Sequence, residues 1–188
     1  MARRRFTKSA TLVCVAAQAA NGLLYGLRWA PDTPVGALFE LEFLRLSFMQ
    51  TIAATATIMP RFEARVARGF NTSDSSGSAL VVTGNESKSF TDQETSLVTD
   101  LRITNSASAG LTAGAKTKDT QPILELQTNQ TITTPNPVVY TAQRSFLEEG
   151  RVIVLKKNEG IAIEGPTVIF GAAGQGELNV VIGWSESY

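Results

Sequence analysis

Histidine does not occur in this 188-residue chain, and cysteine occurs once, as Cys14. Without histidine the chain lacks the side chain that titrates near neutrality, the usual imidazole metal ligand and every Ser-His or Cys-His nucleophile pair. A lone cysteine forms neither an intrachain disulfide nor a thiolate metal cluster, and it suits a reducing compartment. Net charge is missing too: 17 basic and 17 acidic residues give a formal zero, which argues against whole-surface attraction to nucleic acid or to an anionic membrane. No apolar run approaches the ~18 residues that a membrane span requires. The phosphate-loop pattern G-x-x-x-x-G-K-[ST] and the EF-hand pattern are absent. Gly171 to Gly176 leads into a strand-like run rather than a helix, so it is expected to be a hairpin loop and not a dinucleotide cradle. Neither an enzyme, a cofactor nor a metal is expected.

What is present is mostly strand-length alternation. Leu23 to Trp29 and Ala37 to Gln50 alternate aromatic or branched residues with polar ones at the period of a half-buried strand. Phe39, Leu41 and Phe43 share one face with Glu40 and Glu42 opposite, but beyond Phe43 the apolar set becomes Leu44, Leu46 and Phe48. One extra residue causes such a slip, which predicts a β-bulge near Phe43 and Leu44. Ile52 to Ile58, Arg61 to Val66 and Val138 to Tyr140 continue the pattern. The last run, Arg151 to Glu186, reads as two apolar units divided by Gly- and Pro-containing turns, an antiparallel arrangement with Val180, Ile182 and Trp184 on one core face. Polar loops fall at Asn71 to Gly77, Gly84 to Ser89 and Asn105 to Gly114, and Pro135-Asn136-Pro137 is a further break. No helix of three or more turns is expected, although Ser96 to Ile103 is the place for a short one. The fold expected is all-β, an antiparallel β-sandwich of jelly-roll type.

The N-terminus carries Arg3, Arg4, Arg5 and Lys8 ahead of a short apolar stretch from Thr11 to Ala20, of strand or helix type. The outline resembles a signal peptide, but Thr11 and Gln18 interrupt it and Val13 is not the small residue a lipoprotein signal places before its cysteine. Residues 1–22 are therefore expected to be an extended basic arm, followed by a single sandwich domain over 23–188.

Few positions suggest chemistry. Glu40 and Glu42 alternate on one strand face, which sets their carboxyls on the order of 6–7 Å apart, the spacing of an inverting glycosidase pair. A solvated strand face is the plainer expectation. Glu148 and Glu149 read as a charged turn. Asp74, Asp92, Glu94, Asp100 and Asp119 are oxygen ligands without a calcium-loop spacing. Trp29 and Trp184 are expected in the core rather than as sugar-stacking platforms. Contact work is expected of Arg3, Arg4, Arg5 and Lys8 in the arm and of Asn71, Asp74, Asn85 and Lys88 in the loops.

Several segments, in order, carry a resemblance: Leu24-Tyr25-Gly26-Leu27-Arg28-Trp29-Ala30, Phe62-Glu63-Ala64-Arg65-Val66-Ala67-Arg68-Gly69-Phe70, Thr83-Gly84-Asn85, Leu97-Val98-Thr99-Asp100-Leu101-Arg102-Ile103, Leu111-Thr112-Ala113-Gly114, Asn158-Glu159-Gly160 and Trp184-Ser185-Glu186. Together they resemble virion structural proteins of tailed bacteriophages. The resemblance implies a capsid decoration (cement) protein on the head surface, assembled in the host cytoplasm, with the major capsid protein as partner and no catalytic residues. Closed symmetry on such a shell suggests a homotrimer on a local three-fold axis. The alternative is a head-fibre or tail-adaptor component that binds host glycans through exposed aromatics.

Overall fold

The computed structural model describes residues 3–16, 18–53, 59–83, 95–107, 109–128, 138–170 and 173–188. Twelve strands and no helix appear among them: β1 (Arg3–Val15), β2 (Gly22–Trp29), β3 (Leu38–Ile52), β4 (Arg61–Arg68), β5 (Ser78–Ala79), β6 (Asp100–Ile103), β7 (Thr117–Lys118), β8 (Leu124–Gln127), β9 (Tyr140–Ser145), β10 (Ile153–Leu155), β11 (Glu159–Gly165) and β12 (Gln175–Ser187). They form two antiparallel sheets packed as a β-sandwich, one five-stranded in the order β1-β12-β3-β10 with β9 also on β3, the other seven-stranded in the order β5-β6-β2-β11-β4-β7 with β8 also on β4. The pairing is nested: β1 with β12, β2 with β11, β3 with β10.

The segment expected to be an extended basic arm is the edge strand of the first sheet. β1 pairs with β12 without interruption from Arg3↔Ser187 to Val15↔Gln175. Its even positions explain why, since Phe6, Ala10, Leu12 and Cys14 all enter the core. Phe6 stacks on Trp184 with ring centroids 5.5 Å apart, and Phe39 stacks on the other side of the same indole at 5.5 Å. Burying side chains of this size contributes roughly 1.5–3 kcal/mol each. Thus β1 supplies part of the core rather than an appendage.

The expected bulge is present in β3. Gly183 faces Phe43 while the next residue, Trp184, faces Leu41, which leaves Glu42 as the extra residue. Phe39 and Leu41 are buried before it and Leu44, Leu46 and Phe48 after it, so the slip keeps both apolar sets in the core and turns Phe43 outward. Val180, Ile182 and Trp184 share the core face of β12 as expected, all fully buried.

The C-terminal turns differ from expectation. Ile153–Leu155 joins the first sheet through β3, while the following strand β11 lies between β2 and β4 in the second. Val168 to Phe170 is no strand, although Ile169 and Phe170 are buried, and the chain from there to β12 crosses back to the first sheet. The turn at 156–158 is a sandwich corner, not a hairpin, and the expected hairpin loop at 171–176 includes residues outside those described. Ser96 to Ile103 holds strand β6 rather than a helix. β2 and β11 read as continuous apolar runs because both faces are covered: one by the main core, the other by a small cluster of Leu23, Ala67, Phe70, Leu111 and Ala162.

Candidate interaction surfaces

The four cationic residues expected to reach outward are held against the sandwich. Arg3 Nη2 lies 2.8 Å from Glu40 Oε2 and 3.1 Å from Glu42 Oε1, and Arg5 Nε lies 3.3 Å from Glu42. The register makes this possible: Arg5 and Glu40 both sit opposite Ser185 of β12, one on each side. Ser185 joins the network by donating its hydroxyl to Glu40 Oε2 at 3.0 Å. Glu40 and Glu42 are consequently the acidic half of an ionic comb across three strands, only partly exposed to solvent. Arg4 stacks over the Tyr188 ring at 4.9 Å, and Lys8 Nζ donates to the Val81 carbonyl at 3.1 Å.

The other acids are dispersed as well. Asp100 pairs with Arg102 at 3.2 Å, Asp119 with Arg68 at 3.1 Å, and Asp74 with Lys116. Among the described residues no cluster of three metal-ligating side chains forms; Asp92 and Glu94 lie outside the described residues. Glu149 is held by Arg144 with three nitrogen–oxygen contacts between 2.7 and 3.1 Å, which keeps its carboxyl below the usual range. Burial pushes the Cys14 thiol well above its usual value, so no reactive thiolate is available there.

The expected loop contacts divide. Asn71 is exposed. Asp74 is a correction, because its side chain is 1% exposed and is turned from the β4–β5 loop against the segment between β6 and β7. Its Oδ1 accepts from the Gly114 amide at 2.8 Å and from the Lys116 ammonium, which in turn sits 4.1 Å over the Phe70 ring. A Cβ on Gly26 would come within 2.0 Å of the Asp74 carboxylate, so the glycine is what admits it. Burial lowers the Lys116 pKa while Asp74 opposes that shift. Asn85 and Lys88 fall outside the described residues. Trp29 and Trp184 are both fully buried, so neither is a platform for sugar.

Sequence reasoning passed over Glu186, which is fully buried at the rim of the core. Its Oε1 accepts from Trp184 Nε1 at 3.0 Å and from the Ser96 hydroxyl, and its Oε2 from the Leu97 amide at 3.0 Å. Burial raises its pKa, and those bonds together with the nearby Arg4 charge oppose the rise. The signal was there: Glu186 is in phase with Val180, Ile182 and Trp184, the inward positions of the strand.

Two exposed surfaces stand out among the described residues. The first is the loop between β2 and β3, where Val35 is 94% exposed beside Gly36, whose φ of +85° turns the chain back toward β3. Asp32, held below its usual pKa by Lys157 at 2.7 Å, ties this loop to the β10–β11 turn. Between them lies a cleft of about 300 Å³ lined by Pro31, Val35, Ala37, Leu38, Lys156 and Lys157. The second is the outer face of the first sheet, where the exposed or half-buried side chains of β1, β12, β3 and β9 are mainly Thr7, Ser9, Thr11, Asn179, Ser47 and Thr141. Among the described residues no helix is long and apolar enough to cross a membrane. Compared with family models, with curated proteins and with solved structures, the chain matches none.

Proposed function

We propose that the chain is a non-enzymatic virion structural protein that binds and stabilises the shell of a tailed phage head, with the major capsid protein as its partner. The observation that carries this reading is the β2–β3 loop: a β-branched apolar side chain, 94% exposed, at the apex of a loop tied down by an ion pair. Such a knob next to an apolar cleft is a device for interfacial contact. Two further observations support it. The nested strand pairing favours the jelly-roll form of the sandwich, an architecture shared by many viral capsid domains. The in-order segments from Leu24 to Glu186 resemble phage virion proteins, and they include strands β2, β4 and β6 of the scaffold.

On this reading the arginines of β1 brace the sandwich and the loop end makes the contact. The glycan-binding alternative loses its two aromatic platforms to the core. Quantitative mass spectrometry of purified virions tests the proposal. Copies comparable to the shell subunits are expected, and virions devoid of the chain overturn it.

A further inference from the structure

We propose that the outer face of the β1-β12-β3-β9 sheet mates with the same face of a second copy of the chain, about a two-fold axis through Ser47 and Asn179. The register sets out this face in rows. Gln143, Arg45, Val181 and Ser9 stand side by side, then Thr141, Ser47, Asn179 and Thr11, then Met49, Glu177 and Val13. The middle row is uncharged, with Arg45 on one side of it and Glu177 on the other.

Three properties favour a self-complementary contact. First, the donors of Asn179 and Thr141 in the middle row are already used within the face: Asn179 Nδ2 donates to Thr11 Oγ1 at 3.1 Å and to Ser9 Oγ in the adjacent row at 3.2 Å, and Thr141 Oγ1 donates to Ser47 Oγ at 3.2 Å. The Ser9, Thr11 and Ser47 hydroxyls that accept these bonds keep their own protons, which the facing copy can accept, so covering the face costs little only if these donors pair across it. Second, both flanking charges lack an ionic partner among the described residues of the chain. Arg3, Arg5, Arg61, Arg65, Arg68, Arg102 and Arg144 all have carboxylate partners. Arg45 has none among the described residues, and its Nε is out of solvent without a hydrogen-bond partner. Glu177 is exposed and has no ion pair among them either. Third, a two-fold axis at the midpoint between opposite charges brings each onto its counterpart in the other copy, so one operation makes the Arg45–Glu177 pair twice. Depletion of charge at the centre with opposite charges at the rim is also how interfaces are composed.

The face is modest in extent. Four strands ~4.8 Å apart over about nine residues of ~3.4 Å give roughly 600 Å² per copy, at the low end for a specific interface. Interfaces of this size are typical of transient association. The contact is independent of what the β2–β3 loop end binds, and its test needs no virion.

Sedimentation equilibrium of the full chain up to about 1 mM reads it directly. The wild type is expected to form dimers. Arg45→Glu alone and Glu177→Arg alone each juxtapose like charges twice and should weaken association about tenfold or more, with circular dichroism unchanged. Mixing the two single variants in equal amounts restores both pairs and should give a heterodimer at close to wild-type affinity, as should the double exchange in one chain. A wild type that stays monomeric, a trimer, or a mixture of variants that fails to associate would each overturn the proposal.

Discussion

Replacing Asp74 by alanine removes the acidic member of a pair that is almost wholly enclosed, with side chains 1% and 3% exposed for Asp74 and Lys116. The ammonium would keep only the Phe70 ring, 4.1 Å away, and the Gly114 amide would lose its acceptor. Breaking a buried pair from one side typically costs about 3–5 kcal/mol, because the remaining charge is left uncompensated. For a chain of this size that lowers the melting temperature by roughly 6–20 °C. Loss of Asp74 also removes the opposition to burial in setting the Lys116 pKa, so the lysine sheds its proton more readily and the cost stays toward the lower bound. Replacing Lys116 by methionine in the same background removes the stranded charge and should recover all but about 1–2 kcal/mol. Urea unfolding followed by tryptophan fluorescence is the assay, since Trp29 and Trp184 are both buried and report the transition. An Asp74→Ala loss below about 1 kcal/mol, the size expected for an exposed loop residue, would refute the reasoning. So would a double variant no more stable than the single one.

Deleting residues 3–15 strips β1 from the sheet and uncovers Trp184, so no cooperatively folded protein is expected; a truncated chain with native-like amide dispersion by NMR would reinstate the arm. Glu186 gives a pH signature. Its folded pKa is raised by burial above the ordinary 4.5, so its contribution to stability is fully present below that value and is lost as pH climbs through the raised one. Glu186→Gln should flatten this part of the profile, and urea unfolding between pH 4 and 7 with identical slopes for both proteins would contradict it.

The legible parts of the fold are those that a local period writes. The bulge at Glu42 was readable because moving from Leu41 to Leu44 breaks a strict alternation, and a sheet with a buried face cannot absorb that break without an extra residue. The inward face of β12 was readable for the same reason. β1 was less so, because Arg3, Arg4, Arg5 and Lys8 overlay the alternation of Phe6, Ala10, Leu12 and Cys14 and made the segment look detachable. The corners around β10 and β11 were hidden for another reason: turn residues announce a reversal but not whether the next strand stays in the same sheet. Asp74 and Lys116 lie 42 positions apart, and nothing local to either shows that two loops bring them together over Phe70.

The number of copies of this chain per purified virion, counted side by side for the wild type and for Val35→Asp, tests the central claim. On the order of hundreds of copies are expected on a symmetric shell, with a steep fall in the variant while the isolated protein keeps its fold. Wild-type particles that carry no copies, or a variant that loads as fully as the wild type, would contradict the account.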